Sequence, residues 1–139
     1  MREENWDVII VGAGPAGLSA ALVLGRCCRS VLLCDRGTPR SWASKAMHAF
    51  VTRDGVPPSE FRGLACAELE NYPNVSFWQG EVKRASRDSA GFRVLLARRT
   101  VHARKLLLAT GVFDQLFVAQ VIDTLPASAD CRLATVRSL

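Results

Sequence analysis

With 139 residues, 49% of them hydrophobic and 22% charged, the chain is long enough to bury one core, and it has no Ser-, Gln- or Pro-rich tract of the kind that keeps a chain disordered. The formal net charge of +5 is spread over short basic clusters, Lys83-Arg84, Arg98-Arg99 and Arg104-Lys105, with no aromatic residues between them, which argues against nucleic acid as a partner. Five cysteines, Cys27, Cys28, Cys34, Cys66 and Cys131, show neither a CxxC nor a zinc-ligand spacing, so they read as reduced thiols of a cytoplasmic protein with no metal site.

The first element lies in VIIVGAGPAGLSAALVLG. A secretory leader would place positive charge ahead of its apolar run, whereas Glu3, Glu4 and Asp7 precede this one. A membrane span would need about 20 apolar residues in one conformation, and Gly12, Gly14, Pro15 and Gly17 interrupt the first half. No membrane association is expected. Residues 8–11 are β-branched and apolar on both parities, as in a strand buried within a parallel sheet. Pro15 suits the first turn of a helix, where its missing N–H costs nothing, and Leu18, Ala21, Leu22 and Gly25 continue at helical spacing. In the Gly12-Ala13-Gly14-Pro15-Ala16-Gly17 turn, Gly12 permits the tight bend, Gly14 lets a pyrophosphate approach the backbone, and Gly17 lets helix and strand pack closely. A phosphate would then face the positive end of the helix.

Val31–Asp35 reads as a second buried strand ending in an acid at the distance from the glycines where a ribose-binding carboxylate is expected. Such a carboxylate accepts from both ribose hydroxyls and repels a 2′-phosphate, which favours FAD or NAD over NADP. Arg36 keeps NADP open, and a solvated Asp-Arg-Gly turn is the plainer alternative. Residues 37–58 are turn-rich and aperiodic, and a loop of that length in a compact domain is often functional. Ser59 is the expected N-cap of a helix with Phe61, Leu64, Ala65 and Leu69 on its apolar face, ended by Tyr72-Pro73. Strands follow at 75–78 and 81–83, then a hairpin of 92–97 with 100–103 around Arg98-Arg99, then a buried strand in 104–111 that closes on the small residues Ala109-Thr110-Gly111.

Taken together, GAGPAG with Asp35, PRSWASKAMHAFVTRDGVPPSEF, NYPNV and LLLATGVFDQL resemble the amino-terminal FAD-binding part of the thioredoxin-reductase-like flavoproteins, within the pyridine nucleotide-disulfide oxidoreductase superfamily. The resemblance runs from about Asp7 to Leu116, and a GxGxxG paired with a later ATG after an apolar strand is far more specific than either motif alone. It implies an α/β fold: a Rossmann-like three-layer FAD/NAD(P)-binding fold, a parallel sheet with helices and an antiparallel β-meander, incomplete. Residues 1–116 would form the FAD-binding portion and 117–139 a divergent tail with no NADPH domain.

By position, the resemblance implies that Gly12, Ala13, Gly14, Pro15 and Ala16 hold the FAD pyrophosphate and that Asp35 holds the adenosine ribose. Val82 would meet adenine through its backbone, and Ala109, Thr110 and Gly111 would pass close to the cofactor. Arg40 and His48 fall in the loop that runs near the flavin in such proteins, although a lone loop histidine is more often a structural hydrogen bonder. The family's second GxGxxG, its CxxC and its closing Gly-Asp motif have no counterpart in this sequence, so no catalytic residue is assigned. NADPH would need a site from a partner or missing domain, and a homodimer or a completing chain is expected.

The expected function is that of a FAD-dependent oxidoreductase moving electrons between NAD(P)H and an acceptor, a disulfide being one candidate. The alternative is a truncated, non-catalytic FAD or adenine-nucleotide module. A nicotinamide-only dehydrogenase domain is disfavoured by the hairpin and the ATG strand, because it would continue with alternating strands and helices.

Overall fold

The computed structural model describes residues 4–112. The expectations for the tail, residues 117–139 with Cys131, lie outside the described residues. Helices α1 (Pro15–Arg26) and α2 (Pro58–Leu69) accompany six strands, β1 (Glu4–Val11), β2 (Val31–Asp35), β3 (Val75–Gln79), β4 (Arg84–Arg87), β5 (Phe92–Leu95) and β6 (Thr100–Leu108). The strands form one mixed sheet in the order β3-β2-β1-β6-β5-β4, the first four parallel and the β6-β5-β4 meander antiparallel.

Two apolar clusters hold the layers together. On one face α1 and α2 cover the parallel half, with Leu18 and Ala21 of α1 and Leu69 of α2 buried against Ile10, Val31 and Leu33. On the other, Val94, Leu96 and Val101 of the meander close over Ile9, Leu32 and Cys34. Parallel strands are buried on both faces when layers lie on either side, and β2 shows it: four of its five residues are buried. Burial also pushes the Cys34 thiol up to about 11, so it packs as a small apolar side chain. At the far end of β6, Leu107, Leu108 and Val112 remain exposed, so its last turn is less enclosed than its apolar sequence predicts.

Several boundaries differ from the sequence reading for identifiable reasons. α2 begins at Pro58 after Pro57 with no side-chain cap, so Ser59 lies inside the first turn. Where a capping serine would accept from an unpaired N–H, proline at the first position removes one instead. The segment 81–83 is irregular, and the strand starts at Arg84 as a fully exposed edge whose polar sequence carries no alternation to read. The two strands expected over 100–103 and 104–111 are one, β6. Its first residues pair with both β5 and β1, and the exposed Arg104-Lys105 step breaks its alternation. Residues 37–58 contain a 3₁₀ turn, Arg40–Ala43, and a loop pinned by Met47 N–H to Val56 O at 2.9 Å and Gly55 N–H to Met47 O at 2.8 Å. Among the described residues no helix is long and apolar enough to cross a membrane.

Candidate functional site

The register that aligns Val11 with both Cys34 and Leu108 brings three chain exits together at the carboxyl ends of the parallel strands: the glycine turn after β1, Asp35 at the end of β2, and Ala109 after β6. Open α/β sheets bind ligands at that edge. Gly12 N–H donates to Cys34 O at 2.7 Å and Ala109 N–H to Val11 O at 2.8 Å, so the three exits are tied by main chain alone.

The three glycines of the turn separate into two kinds. At Gly12, with φ +105°, a Cβ would stand 2.3 Å from Ala109 O, and at Gly17 it would stand 1.8 Å from Gly12 O. Both positions are closed by the protein's own backbone. At Gly14 a Cβ would meet nothing within 4 Å. Gly14 is the N-cap of α1 and lines a cavity of about 570 Å³, so the space beside it is not filled by the protein's own packing. The parts the sequence gave to Gly12, the bend, and to Gly17, helix–strand packing, agree with the backbone contacts each makes.

Asp35 does not line the cavity itself but bonds to three residues that do, Ala13, Gly37 and Arg62. Its Oδ1 accepts from Ala13 N–H at 3.0 Å, and its Oδ2 accepts from Gly37 N–H at 2.9 Å and from the Arg62 guanidinium. Burial by itself would raise the carboxyl's pKa, but the Ala13 and Arg62 hydrogen bonds, the Arg62 charge and the Gly37 N–H outweigh it and leave the pKa below its ordinary value. The acid is therefore ionised at neutral pH. Ala13 is buried with its N–H committed to Asp35, and Pro15 has no N–H to offer at the start of α1.

The cavity is completed by α1, by the loop after β2 and by α2. Pro15 and Leu18 form one side, Pro39, Ser41 and Met47 another, and Phe61, Arg62 and Cys66 the third, with Gln79 of β3 at the base. Phe61 is braced by an edge-on contact with Phe50, ring centroids 5.3 Å apart, which ties the 37–58 loop to α2.

Other expected residues fall elsewhere. Val82 packs its side chain against the meander-side cluster and does not line the cavity. Arg40 opens the 3₁₀ turn. His48 is exposed, its Nδ1 3.5 Å from Asp54 Oδ1, which also accepts Ala49 N–H at 2.8 Å. Thr110 and Gly111 continue from Ala109 beside the turn, Gly111 at φ +66°.

Arg62 was not singled out from the sequence. It had a signal: Pro58, Arg62 and Cys66 recur every four residues and form one stripe of α2, and that stripe faces the cavity.

The sequence pattern of the family described as "Pyridine nucleotide-disulphide oxidoreductase" matches residues 6–136. A probable thioredoxin reductase of Arthroderma benhamiae is 36% identical over 121 residues, covering 82% of this chain and 30% of that protein. The thioredoxin reductase aclD of Aspergillus oryzae is 37% identical over 135 residues, covering 94% and 41%. Among solved structures, an oxidoreductase from Agrobacterium tumefaciens superposes with a TM-score of 0.78 at 37% identity, over 86% of this chain and 41% of that one. The chain spans about a third of the length of the curated relatives it matches.

Proposed function

Since the chain belongs to the pyridine nucleotide-disulphide oxidoreductase family, we propose that it holds FAD for electron transfer between NAD(P)H and an acceptor, a disulfide being the acceptor its relatives' names suggest. Membership of the family implies a flavin cofactor. The single observation that carries the reading to this chain is the open space at Gly14, set between a helix N-terminus and an ionised Asp35.

The residues present fit FAD. Gly14 and Ala16 offer N–H donors to the pyrophosphate at the positive end of α1, Pro15 fixes the start of that helix, and Asp35 stands where a ribose would lie. Gly12, Ala13 and the Ala109-Thr110-Gly111 exit act by shaping the turn. When bound, the flavin supplies the hydride and electron chemistry, while the protein supplies binding, orientation and electrostatics. On this reading Arg40, His48 and Val82 lie toward the flavin and adenine margins of the cofactor. The NAD(P)H site belongs to a completing chain or further domain.

The test is the visible spectrum of the purified chain after incubation with FAD and gel filtration, with calorimetric titration of ADP alongside. A retained flavin band is the expected result for the full reading, with bleaching by NAD(P)H expected only once the chain or domain that completes the nicotinamide site is supplied. A colourless protein that binds ADP would replace it with a non-catalytic adenine-nucleotide module. A protein that binds neither would remove the cofactor assignment altogether.

A further inference from the structure

We infer that Arg62 shares the adenosine ribose with Asp35: one ribose hydroxyl donates to Asp35 Oδ1, and the oxygen of the neighbouring hydroxyl accepts from the Arg62 guanidinium. The inference deepens the FAD reading, because it names a further residue of the same nucleotide site.

It follows from counting acceptor positions. An ionised carboxylate offers about four, two on each oxygen. Oδ2 already takes Gly37 N–H at 2.9 Å and Arg62, and Oδ1 takes Ala13 N–H at 3.0 Å. One position is left, on Oδ1. A vicinal diol held by the carboxylate alone would need two, as the sequence reading of Asp35 supposed. The second hydroxyl therefore needs a donor instead, and its oxygen has lone pairs to receive one.

Arg62 is placed to be that donor. A guanidinium carries five N–H groups in a planar fork, and a single one makes the bond to Asp35 Oδ2. Arg62 lines the same cavity as Gly14, and its side chain is only 24% exposed against 13% for Asp35, so the pair acts away from bulk water. Its position is set by α2, whose Pro58, Arg62 and Cys66 stripe faces the cavity, and by Phe61, braced on Phe50. A surface ion pair holding two long side chains together would need none of this placement.

The test compares ADP, 2′-deoxy-ADP and 3′-deoxy-ADP as calorimetric ligands of the 139-residue chain and of Arg62→Met. The wild-type protein is expected to bind ADP about tenfold more tightly than each deoxy nucleotide, the size expected of a hydrogen bond to a charged group. Arg62→Met is expected to lose the discrimination against one of the two and to keep it against the other, where Asp35 remains the partner. If Arg62→Met discriminates against both as the wild type does, or binds ADP more tightly, Arg62 is only a counter-ion of Asp35 and the inference is overturned. A wild-type protein that binds no ADP would instead overturn the adenine-site reading, and this inference with it. Should Arg62→Met fail to fold, Arg62→Lys, which keeps the charge beside Asp35 without the planar fork, is compared in the same way. Loss of discrimination against one deoxy nucleotide only is the supporting result, and discrimination against both as in the wild type is the opposing one.

Discussion

The two ends of the parallel sheet are closed by the same pair of devices, an aspartate clamp and a tightly packed glycine of α1, and a cavity lies beside each, about 570 Å³ at the glycine turn and about 410 Å³ at the Asp7 end, but only the first is lined by the start of a helix. At the end remote from the glycine turn, Asp7 Oδ2 accepts from Ser30 N–H at 3.0 Å and from Ser30 Oγ–H at 3.2 Å, while Asp7 N–H donates to Ser30 Oγ at 2.8 Å. These bonds fasten the start of β2 to β1. At the other end, Asp35 fastens the glycine turn to the loop after β2, and its third bond is to a side chain that lines the larger cavity. Gly25, at the remote end of α1, packs against side chains of Val75 and Tyr72; Gly17, at the end beside the glycine turn, packs against the backbone of Gly12. A carboxylate held by main-chain N–H groups is thus not by itself a mark of a site. What distinguishes Asp35 is its partner Arg62, a side chain of α2 that itself lines the cavity at the glycine turn.

The largest expected effect comes from the glycines. Gly17→Ala would put a Cβ 1.8 Å from a main-chain oxygen, which no rotamer change relieves, and is expected to cost at least about 3 kcal/mol or to prevent folding. Gly25→Ala would meet Val75 Cγ2 at 2.9 Å and Tyr72 ring atoms at 3.2 Å, which can yield, for a loss of about 1 kcal/mol. Urea midpoints of the two variants measure the difference, and equal losses would erase the contrast between the ends of α1.

Next are the aspartates. Asp35→Ala removes the partner of two main-chain N–H groups and of Arg62, and is expected to cost about 2 kcal/mol together with at least tenfold in ADP affinity. Asp7→Ala is expected to lower the thermal midpoint by less and to leave ADP affinity unchanged. An affinity loss in Asp7→Ala matching that of Asp35→Ala would mean the two clamps are coupled through the sheet.

Gly14→Val sharpens the same contrast from the opposite side. Nothing within 4 Å opposes its side chain, and the extended backbone there, φ −77° and ψ −177°, suits a branched residue. Stability should stay within about 0.5 kcal/mol of wild type, while ADP affinity falls at least tenfold. Undiminished nucleotide binding would place the pyrophosphate elsewhere.

The smallest effect is the acid arm of the stability curve. Asp7, held by Ser30 N–H first of all, and Asp35 both titrate below their ordinary value of 3.8 in the folded protein. The unfolded chain takes up these protons near pH 3.8 and the native one only at lower pH, so both contributions are complete above that value. They are lost as the pH falls from there through the native pKa values. Either aspartate-to-alanine change should flatten that arm, which urea unfolding between pH 2 and 5 would measure.

The parallel half and the glycine turn were legible in the sequence because their signals are local. A β-branched run, three glycines and a proline specify strand, turn and helix within a few residues. β2 was legible for the same reason, and Asp35 by its distance from the turn. The Asp35–Arg62 pair joins residues 27 apart through tertiary packing, so no local pattern announces it. β4 was misplaced because Arg84–Arg87 is exposed along its whole length, leaving neither an apolar period nor a buried face to read. The ordered 37–58 loop was read as aperiodic because its order comes from main-chain bonds across the loop and from Phe50 on Phe61, which leave no repeat in the sequence.

The contact between Gly12 and Ala109 sets a rule for how this chain can vary. The obstacle a side chain at position 12 would meet is the carbonyl of residue 109, 2.3 Å away, and every amino acid carries that carbonyl. No replacement at position 109 can therefore make room. A genetic screen for second-site suppressors of Gly12→Ala should return reversion to glycine, and none at the residue it touches.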